Sequence, residues 1–289
     1  MNTQAAIVPR QLQVGLIGAG ISRSLTPAMH MREGEHFELS YRYDLIDLDA
    51  RGLSVSDLPA LVDEAEALGF AGLNITHPCK QAAVTLVDEL SADARTLRSI
   101  NTIVFDGQRK IGHNTDWWGF AESFRRGLAG VSLGRVVQLG AGGAGVAVAH
   151  AMAEMGAQAI EIFDLDPLRA KALVDQLQPA HGACRFSIGH DLAAALDVAD
   201  GLVHATPTGM VTHPGLPLDV RLLSNRLWVA EIVYFPIETE LVKLARQIGC
   251  RVLDGGGMAV FQAVKAFELF TGFQPTAERM LQHFNSLRA

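Results

Sequence analysis

Short apolar runs alternate with longer amphipathic stretches along almost the whole chain. The runs at 14–17, 39–48 and 71–75 read as strands. A short helix is predicted over 27–33, and 57–68 carries apolar positions at helical spacing. Two more helices are expected at 78–86 and 91–97. The runs at 100–105 and 110–113 flank Asp106-Gly107 and predict a hairpin. A helix over 117–128 leads into the second half. Strands are expected there near 135–140, 159–164, 184–187, 202–206, 228–233 and 250–253, with helices between several of them. The tail, 258–270 and 276–287, is helical and carries no strand. Its apolar face has to pack elsewhere, and the first domain is available. The pattern predicts an α/β fold with two mostly parallel sheets.

With 289 residues the chain can build two separate cores. We expect a first domain over 1–115, with 256–289 packing back on it, and a second over 116–255. The composition, 49% hydrophobic and 19% charged, is that of an ordinary folded protein. A net charge of −7 without a basic cluster argues against nucleic acid. No apolar run has membrane-spanning length, and residues 1–13 lack a leader pattern, so a cytoplasmic protein is expected. Cys79, Cys184 and Cys250 are odd in number and widely spaced, as unpaired thiols of a reducing compartment would be. No metal-binding pattern is evident.

Within this pattern one stretch has a specific chemistry. The apolar run 136–139 is followed by glycines at 140, 142 and 145, then by an Ala-rich helical run, 146–155. A second apolar run, 159–163, ends in Asp164. Strand, glycine turn, helix, strand and an acid roughly 20 residues on are the ordered parts of a dinucleotide site. Gly140 permits the tight turn, Gly142 admits a pyrophosphate close to the backbone, and Gly145 lets helix and strand approach. The helix N-terminus directs N–H groups at the phosphates. A carboxylate at Asp164 accepts hydrogen bonds from ribose hydroxyls and repels a 2′-phosphate, so NAD is expected over NADP.

The first half holds polar residues beyond what structure alone requires. Ser24 and Thr26 precede Pro27, where they can cap a helix or hold a substrate carboxylate. Asn74 and Thr76 alternate at a strand end and therefore share a face. Lys80 falls in the first turn of the helix expected after Pro78, where the helix dipole would lower its pKa. That makes Lys80 a candidate general acid/base. Asn101-Thr102 lie at a strand start, and Asn114-Thr115-Asp116 precede the bridging helix. Asp116 can cap that helix or face Lys80. Trp117 and Trp118 read as wall or core.

Taken together, these motifs resemble the shikimate and quinate dehydrogenases. The matching residues are Ser24-x-Thr26-Pro27, Asn74-Ile75-Thr76-x-Pro78-x-Lys80, Asn101-Thr102, Asn114-Thr115-Asp116 and the glycine turn. They continue through Ala205-Thr206-Pro207-x-Gly209-Met210, Tyr234-x-Pro236-x-x-Thr239-x-Leu241, and Gly257-Met258 with Gln262. The order holds from about residue 15 to 273. The likeness is greatest to the NAD-using quinate/shikimate branch, through 15–18, 25–30 and 236–241.

The resemblance implies an N-terminal substrate domain and a Rossmann-type cofactor domain, with the site in the cleft between them. Ser24, Thr26 and Tyr234 would bind the substrate carboxylate. Asn74, Thr76, Asn101 and Gln262 would hold ring hydroxyls. Lys80 and Asp116 would be the catalytic pair. Gly140, Gly142, Gly143, Ala144, Gly145, Asp164 and Arg169 would bind NAD, with Thr206, Pro207 and Met258 flanking its ribose and nicotinamide. The implied substrate is a hydroxylated cyclohexane or cyclohexene carboxylate, oxidised at its C3 hydroxyl, and the implied protein is a monomer or homodimer. The chain departs from the family at several positions. Asp164 stands where the NADP branch has an Asn-Arg-Thr run. His204 replaces a usual asparagine, Glu231 a usual aspartate, and Thr26 the serine of the shikimate-specific branch. Trp117 follows Asp116 where smaller residues are common. The alternatives are an NADP-dependent biosynthetic shikimate dehydrogenase, a paralogue acting on an amino-substituted ring, and a nucleotide-binding regulator. The regulator should have lost Lys80 or Asp116, and both are present.

Overall fold

The computed structural model describes residues 11–288, so most of the 1–13 stretch read for a leader lies outside the described residues. The chain divides into two compact units, one running to Thr115 and resuming at Ala263, the other spanning Asp116–Gln262.

In the first unit, β1 (Gln11–Gly18), β2 (Ser40–Asp47), β3 (Gly72–Ile75), β4 (Glu89–Leu90), β5 (Thr102–Asp106) and β6 (Arg109–His113) form one sheet. Its order is β2-β1-β3-β5-β6-β4. β1 pairs in parallel with β2 and β3 on either side, which explains its nearly continuous apolar run. β3–β5 and β5–β6 are antiparallel, so this sheet is mixed, and the expected hairpin is present. Four helices belong to this stretch: α1 (Thr26–His36), α2 (Leu48–Arg51), α3 (Leu58–Ala67) and α4 (Ala92–Leu97). The apolar face of α3, Leu58, Leu61, Val62 and Ala65, packs into the core with Ile17, Leu73 and Ile75.

The second unit carries α5 (Asp116–Gly127), β7 (Arg135–Leu139), α6 (Gly143–Glu154), β8 (Ala159–Phe163), α7 (Pro167–Leu177) and β9 (Arg185–Ile188). They are followed by α8 (Leu192–Val198), β10 (Gly201–His204), β11 (Trp228–Glu231), α9 (Glu240–Ile248) and β12 (Arg251–Leu253). All pairings in this sheet are parallel, in the order β12-β11-β10-β7-β8-β9. The strand order reverses between β7 and β10, the doubly wound arrangement whose ligand crevice opens at that switch point.

The tail forms α10 (Gly256–Thr271) and α11 (Ala277–Ser286), and it does return to the first unit. The start of α10, to Gln262, groups with the second unit instead of the first. Arg279 donates from Nε to Glu33 of α1 at 2.8 Å, and the Thr276 N–H donates to the same carboxylate at 3.1 Å. Glu33 is 1% exposed, so these donors are what make burying its carboxylate tolerable.

One expected helix is absent. Residues 77–81 form a turn, followed by a 3-10 segment, Ala82–Leu86. The backbone carbonyls of His77 and Lys80 are taken by the N–H groups of Ala19 and Ile100, at 2.9 and 3.1 Å. Tertiary pairing has claimed the acceptors that an α-helix would use.

His30 of α1 is fully buried among Tyr43, Phe267 and Phe270, with Nδ1 3.0 Å from the Tyr41 hydroxyl and Nε2 unpartnered. Burial pushes its pKa down to about 3 from 6.5. The folded state therefore binds fewer protons than the unfolded chain between these values. The resulting stability is complete above 6.5 and is lost as pH falls toward 3. Urea unfolding of the parent and of His30→Gln at pH 7 and pH 5 should differ in pH dependence by about 2 kcal/mol, the parent losing more. Equal losses would show that His30 does not contribute to the acid sensitivity.

Candidate active site

The glycine turn links β7 to α6. Gly140 has φ +101°, and a Cβ there would lie 2.5 Å from the Ala205 carbonyl oxygen. At Gly145 a Cβ would lie 2.4 Å from the Gly140 carbonyl oxygen. These two positions need glycine for a backbone conformation and for close approach. Beside Gly142 and Gly143 an added Cβ meets nothing within 4 Å. Gly142 caps α6 without a side-chain hydrogen bond, and Gly142 and Gly143, both exposed, border open space at the start of the helix. Open room and a helix N-terminus suit a pyrophosphate.

Asp164 follows β8. Its Oδ2 accepts the Ala141 N–H at 2.7 Å, and its Oδ1 accepts the Asp166 N–H at 2.9 Å. The carboxylate thus also pins the glycine turn, a role the sequence did not reveal. Arg169, on α7, has its Nε 3.6 Å from Asp166, and both side chains are exposed. Thr206 and Pro207 leave the end of β10, where the Ala205 N–H donates to the Leu139 carbonyl at 2.7 Å. Met258 lies in the first turn of α10, and Gln262 one turn further on. At Gly119 of α5 a Cβ would come 2.6 Å from the Gln262 nitrogen and 2.9 Å from the Met258 oxygen, so the two helices touch through backbone there. Asp116, the first residue of α5, is buried. Tyr234 is half-exposed; partial desolvation and then the Asp116 charge raise its hydroxyl above its usual range.

In the first unit the polar candidates gather at one end of the sheet. Asn74 and Thr76 lie at the carboxyl end of β3, Asn101 precedes β5, and Asn114-Thr115 follow β6. The Asn74 side chain accepts from the Tyr43 hydroxyl at 2.7 Å and donates to Thr102 Oγ1 at 3.0 Å and the Asn101 carbonyl at 3.3 Å. Asn101 donates to Thr115 Oγ1 at 2.9 Å and accepts the Thr115 N–H at 2.8 Å. The two asparagines are thus tied into one network. Tyr43, Thr102 and Thr115 belong to it, although sequence reasoning assigned them no role. Alternation along β2 marks Tyr43 only as a buried side chain, and its hydroxyl is raised by that burial. A Cβ at Gly18 would overlap the Thr76 methyl at 2.2 Å, so the glycine makes room for Thr76. Lys80 is half-buried in the turn after β3. The helix whose dipole was to act on it is missing.

Ser24 and Thr26 sit at the start of α1, both half-buried, and the Thr26 N–H donates to Ser24 Oγ at 3.3 Å. The cap position is Leu25, without a side-chain cap bond. Asp47 holds the loop before them by accepting the N–H groups of Gly20 and Ile21 at 3.0 and 2.9 Å. Burial raises its carboxyl, but donors from Gly20, Ile21, Ala50 and Asp49 outweigh this and hold it below the usual range.

The second unit also assembles a His/Glu group that spacing did not flag, His150, Glu154 and His181. His150 Nδ1 and His181 Nε2 face each other at 2.9 Å, and His181 Nδ1 lies 3.4 Å from Glu154. One ligand atom from each of the three lies within 4.8 Å of the others. Trp117 packs edge-on against His150, with ring centroids 5.2 Å apart, which agrees with its reading as wall or core.

A doubly wound parallel sheet with a glycine turn at its switch point is the architecture of a dinucleotide-binding domain. The model of the shikimate dehydrogenase substrate-binding domain matches residues 16–103. The chain is 54% identical over 270 residues to a shikimate dehydrogenase (NADP(+)) of Streptomyces avermitilis, covering 93% of each. It is 48% identical over 278 residues to a quinate/shikimate dehydrogenase (NAD(+)) of Corynebacterium glutamicum, covering 95% of this chain and 98% of the relative. The solved quinate dehydrogenase from Corynebacterium glutamicum in complex with NAD superposes with a TM-score of 0.90 at 46% identity, covering 96% of this chain and 99% of that one. The chain belongs to the shikimate/quinate dehydrogenase family and is an NAD(P)-dependent oxidoreductase. Among the described residues no helix is long and apolar enough to cross a membrane.

Proposed function

We propose that this chain is an NAD-dependent dehydrogenase that interconverts quinate, shikimate or both with the corresponding 3-dehydro ketones, acting at the C3 hydroxyl. The observation that carries the cofactor reading is Asp164, a carboxylate at the end of β8 that would stand close to a 2′-phosphate. Arg169 stands beside a second carboxylate, the exposed Asp166, at 3.6 Å, which offsets part of its charge. The runner-up is an NADP-dependent shikimate dehydrogenase, favoured by the 54% identity to the Streptomyces avermitilis shikimate dehydrogenase (NADP(+)). Initial rates with quinate and shikimate, each against NAD and NADP, separate the two. Higher kcat/KM with NADP would overturn the first reading. The buried, unpaired Cys79, Cys184 and Cys250 suit a cytoplasmic enzyme.

Bound at the glycine turn, a nicotinamide dinucleotide supplies the hydride acceptor. Gly140, Gly142, Gly143, Ala144 and Gly145 hold its phosphates, Asp164 its adenosine ribose, with Arg169 alongside. Thr206, Pro207 and Met258 flank the other end. Lys80 takes the proton of the substrate hydroxyl during oxidation and returns it during ketone reduction. Asp116 orients Lys80 and the hydroxyl. Ser24, Thr26 and Tyr234 bind the carboxylate, and Asn74, Thr76, Asn101 and Gln262 read the ring hydroxyls. Asn74 Oδ1 accepts from Tyr43 and keeps a second lone pair for substrate. The Tyr43 and Thr102 contacts fix the amide orientation in advance, which lowers the entropy lost on binding.

Thr26 sets part of the ring preference. Its methyl would crowd the ring face beside the carboxylate, where shikimate is flattened by its double bond and quinate has a tetrahedral carbon. Thr26→Ser should shift the quinate/shikimate ratio of kcat/KM by a few-fold, about 1 kcal/mol for one methyl contact. An unchanged ratio with NAD saturating would place the selectivity elsewhere, and Trp117 would be tested next.

A further inference from the structure

His204 and Glu231 end the adjacent parallel strands β10 and β11, and the register pairs them directly. Both are shut off from solvent. None of the roles proposed above uses them. The Glu231 carboxylate accepts the Val233 N–H at 2.9 Å and the Thr239 hydroxyl at 3.0 Å. Both of its oxygens also face His204 Nδ1, at 2.9 and 3.0 Å. A carboxylate offers only acceptors, so Nδ1 carries the proton, a tautomer assigned from the network. In the neutral imidazole His204 Nε2 then presents a lone pair, and the Thr206 hydroxyl is in hydrogen-bond contact with it. Thr206 donates inward to His204, while its oxygen also receives the Thr208 N–H at 3.2 Å. With its proton committed, Thr206 can only accept from a ligand.

The location gives this polarity a use. A Cβ on Gly140 would lie 3.0 Å from the Thr206 methyl, so Thr206 stands on the rim of the glycine turn. We propose that the Glu231–His204 pair is a positioning device that holds Thr206 as a hydrogen-bond acceptor for a ribose hydroxyl at the nicotinamide end of the cofactor. A ribose hydroxyl can donate as well as accept, and an inward-donating threonine takes it as the donor. Thr239 extends the device, because its oxygen accepts the Val242 N–H at 3.2 Å while its hydroxyl serves Glu231. The start of α9 is thereby tied to the same carboxylate. The inference rests on the reading that Thr206 flanks the cofactor.

Calorimetric titration with NAD and with 5′-AMP tests it, since AMP occupies only the adenosine end. The asparagine amide overlays Nδ1 of a histidine and the glutamine amide overlays Nε2. His204→Asn therefore keeps the Glu231 contact and loses Thr206, whereas His204→Gln keeps the reach to Thr206. We expect Thr206→Val and His204→Asn each to weaken NAD about three- to ten-fold, the effect of one neutral hydrogen bond, with AMP unchanged. His204→Gln should retain most of the affinity. The double variant His204→Asn/Thr206→Val should bind no more weakly than either single variant, because both act through one hydroxyl. Additive losses, or a parallel loss of AMP affinity, would overturn the positioning role. Weaker NAD binding in Thr206→Val with parental affinity in His204→Asn would do the same while leaving Thr206 at the cofactor. Parental affinity in Thr206→Val would instead remove Thr206 from the cofactor, and the inference with it. The ring 15N shifts of His204 in the unmodified protein give a readout independent of folding in the variants. Protonation at Nδ1 alone is expected, and a proton on Nε2 would overturn the inference.

Discussion

Lys80→Ala is expected to lower kcat by about 10²–10⁴-fold, the range typical of a general acid/base, while NAD still binds. The lysine lies in the turn after β3 and the glycine turn follows β7, so the two depend on different sheets. Removing the amine should leave the hydroxyl proton without an acceptor. It should not alter the N–H groups at the start of α6. Asp116→Asn should also be slow, and the double variant should lose less than the product of the single losses, since the two residues act on one proton. Steady-state kinetics paired with NAD titration provide the check. Near-normal kcat in Lys80→Ala would remove the lysine from the mechanism, and lost NAD binding would mean that the variant had damaged more than the chemistry.

The second large effect concerns Asp164. Asp164→Ala is expected to move the NADP/NAD ratio of kcat/KM toward NADP by about ten- to a hundred-fold. Removing a carboxylate relieves repulsion of a 2′-phosphate and also deletes charge-assisted hydrogen bonds to ribose, worth about 1.5–3 kcal/mol each. Part of the loss with NAD should have another origin, because Asp164 also holds the Ala141 N–H at 2.7 Å. Asp164→Asn keeps one acceptor for that N–H, but it removes the charge and replaces the oxygen that accepted the Asp166 N–H by a donor. If loop anchoring matters, the asparagine variant should show the smaller rise in KM for NAD. An unmoved ratio in both variants would show that the cofactor preference is set elsewhere.

The parts of the site that were legible in the sequence are local ones. The glycines at 140, 142 and 145, the following helix and Asp164 all lie within one strand–helix–strand unit. Their spacing therefore survives in any fold that forms the unit. The expected helix at 78–86 failed for the opposite reason. Its Ala-rich pattern is locally helical, but the His77 and Lys80 carbonyls were claimed by Ala19 and Ile100, partners that no nearby spacing could announce. Asn74 and Thr76 were recognisable from strand alternation. That Asn74 is fixed by Tyr43 and Thr102 was not, because those contacts span 31 and 28 positions.

The sequence by itself determined the alternation of strands and helices, the glycine turn with its acid, and the family motifs in order, because each depends on periodicity or spacing within a short segment. The tertiary structure decided the mixed sheet of the first unit and the burial of Glu33 against Arg279. It also decided the pairing of His204 with Glu231, which lie 27 positions apart. These depend on which strands become neighbours and in what register, and register is fixed by hydrogen bonds between segments that sequence spacing does not relate.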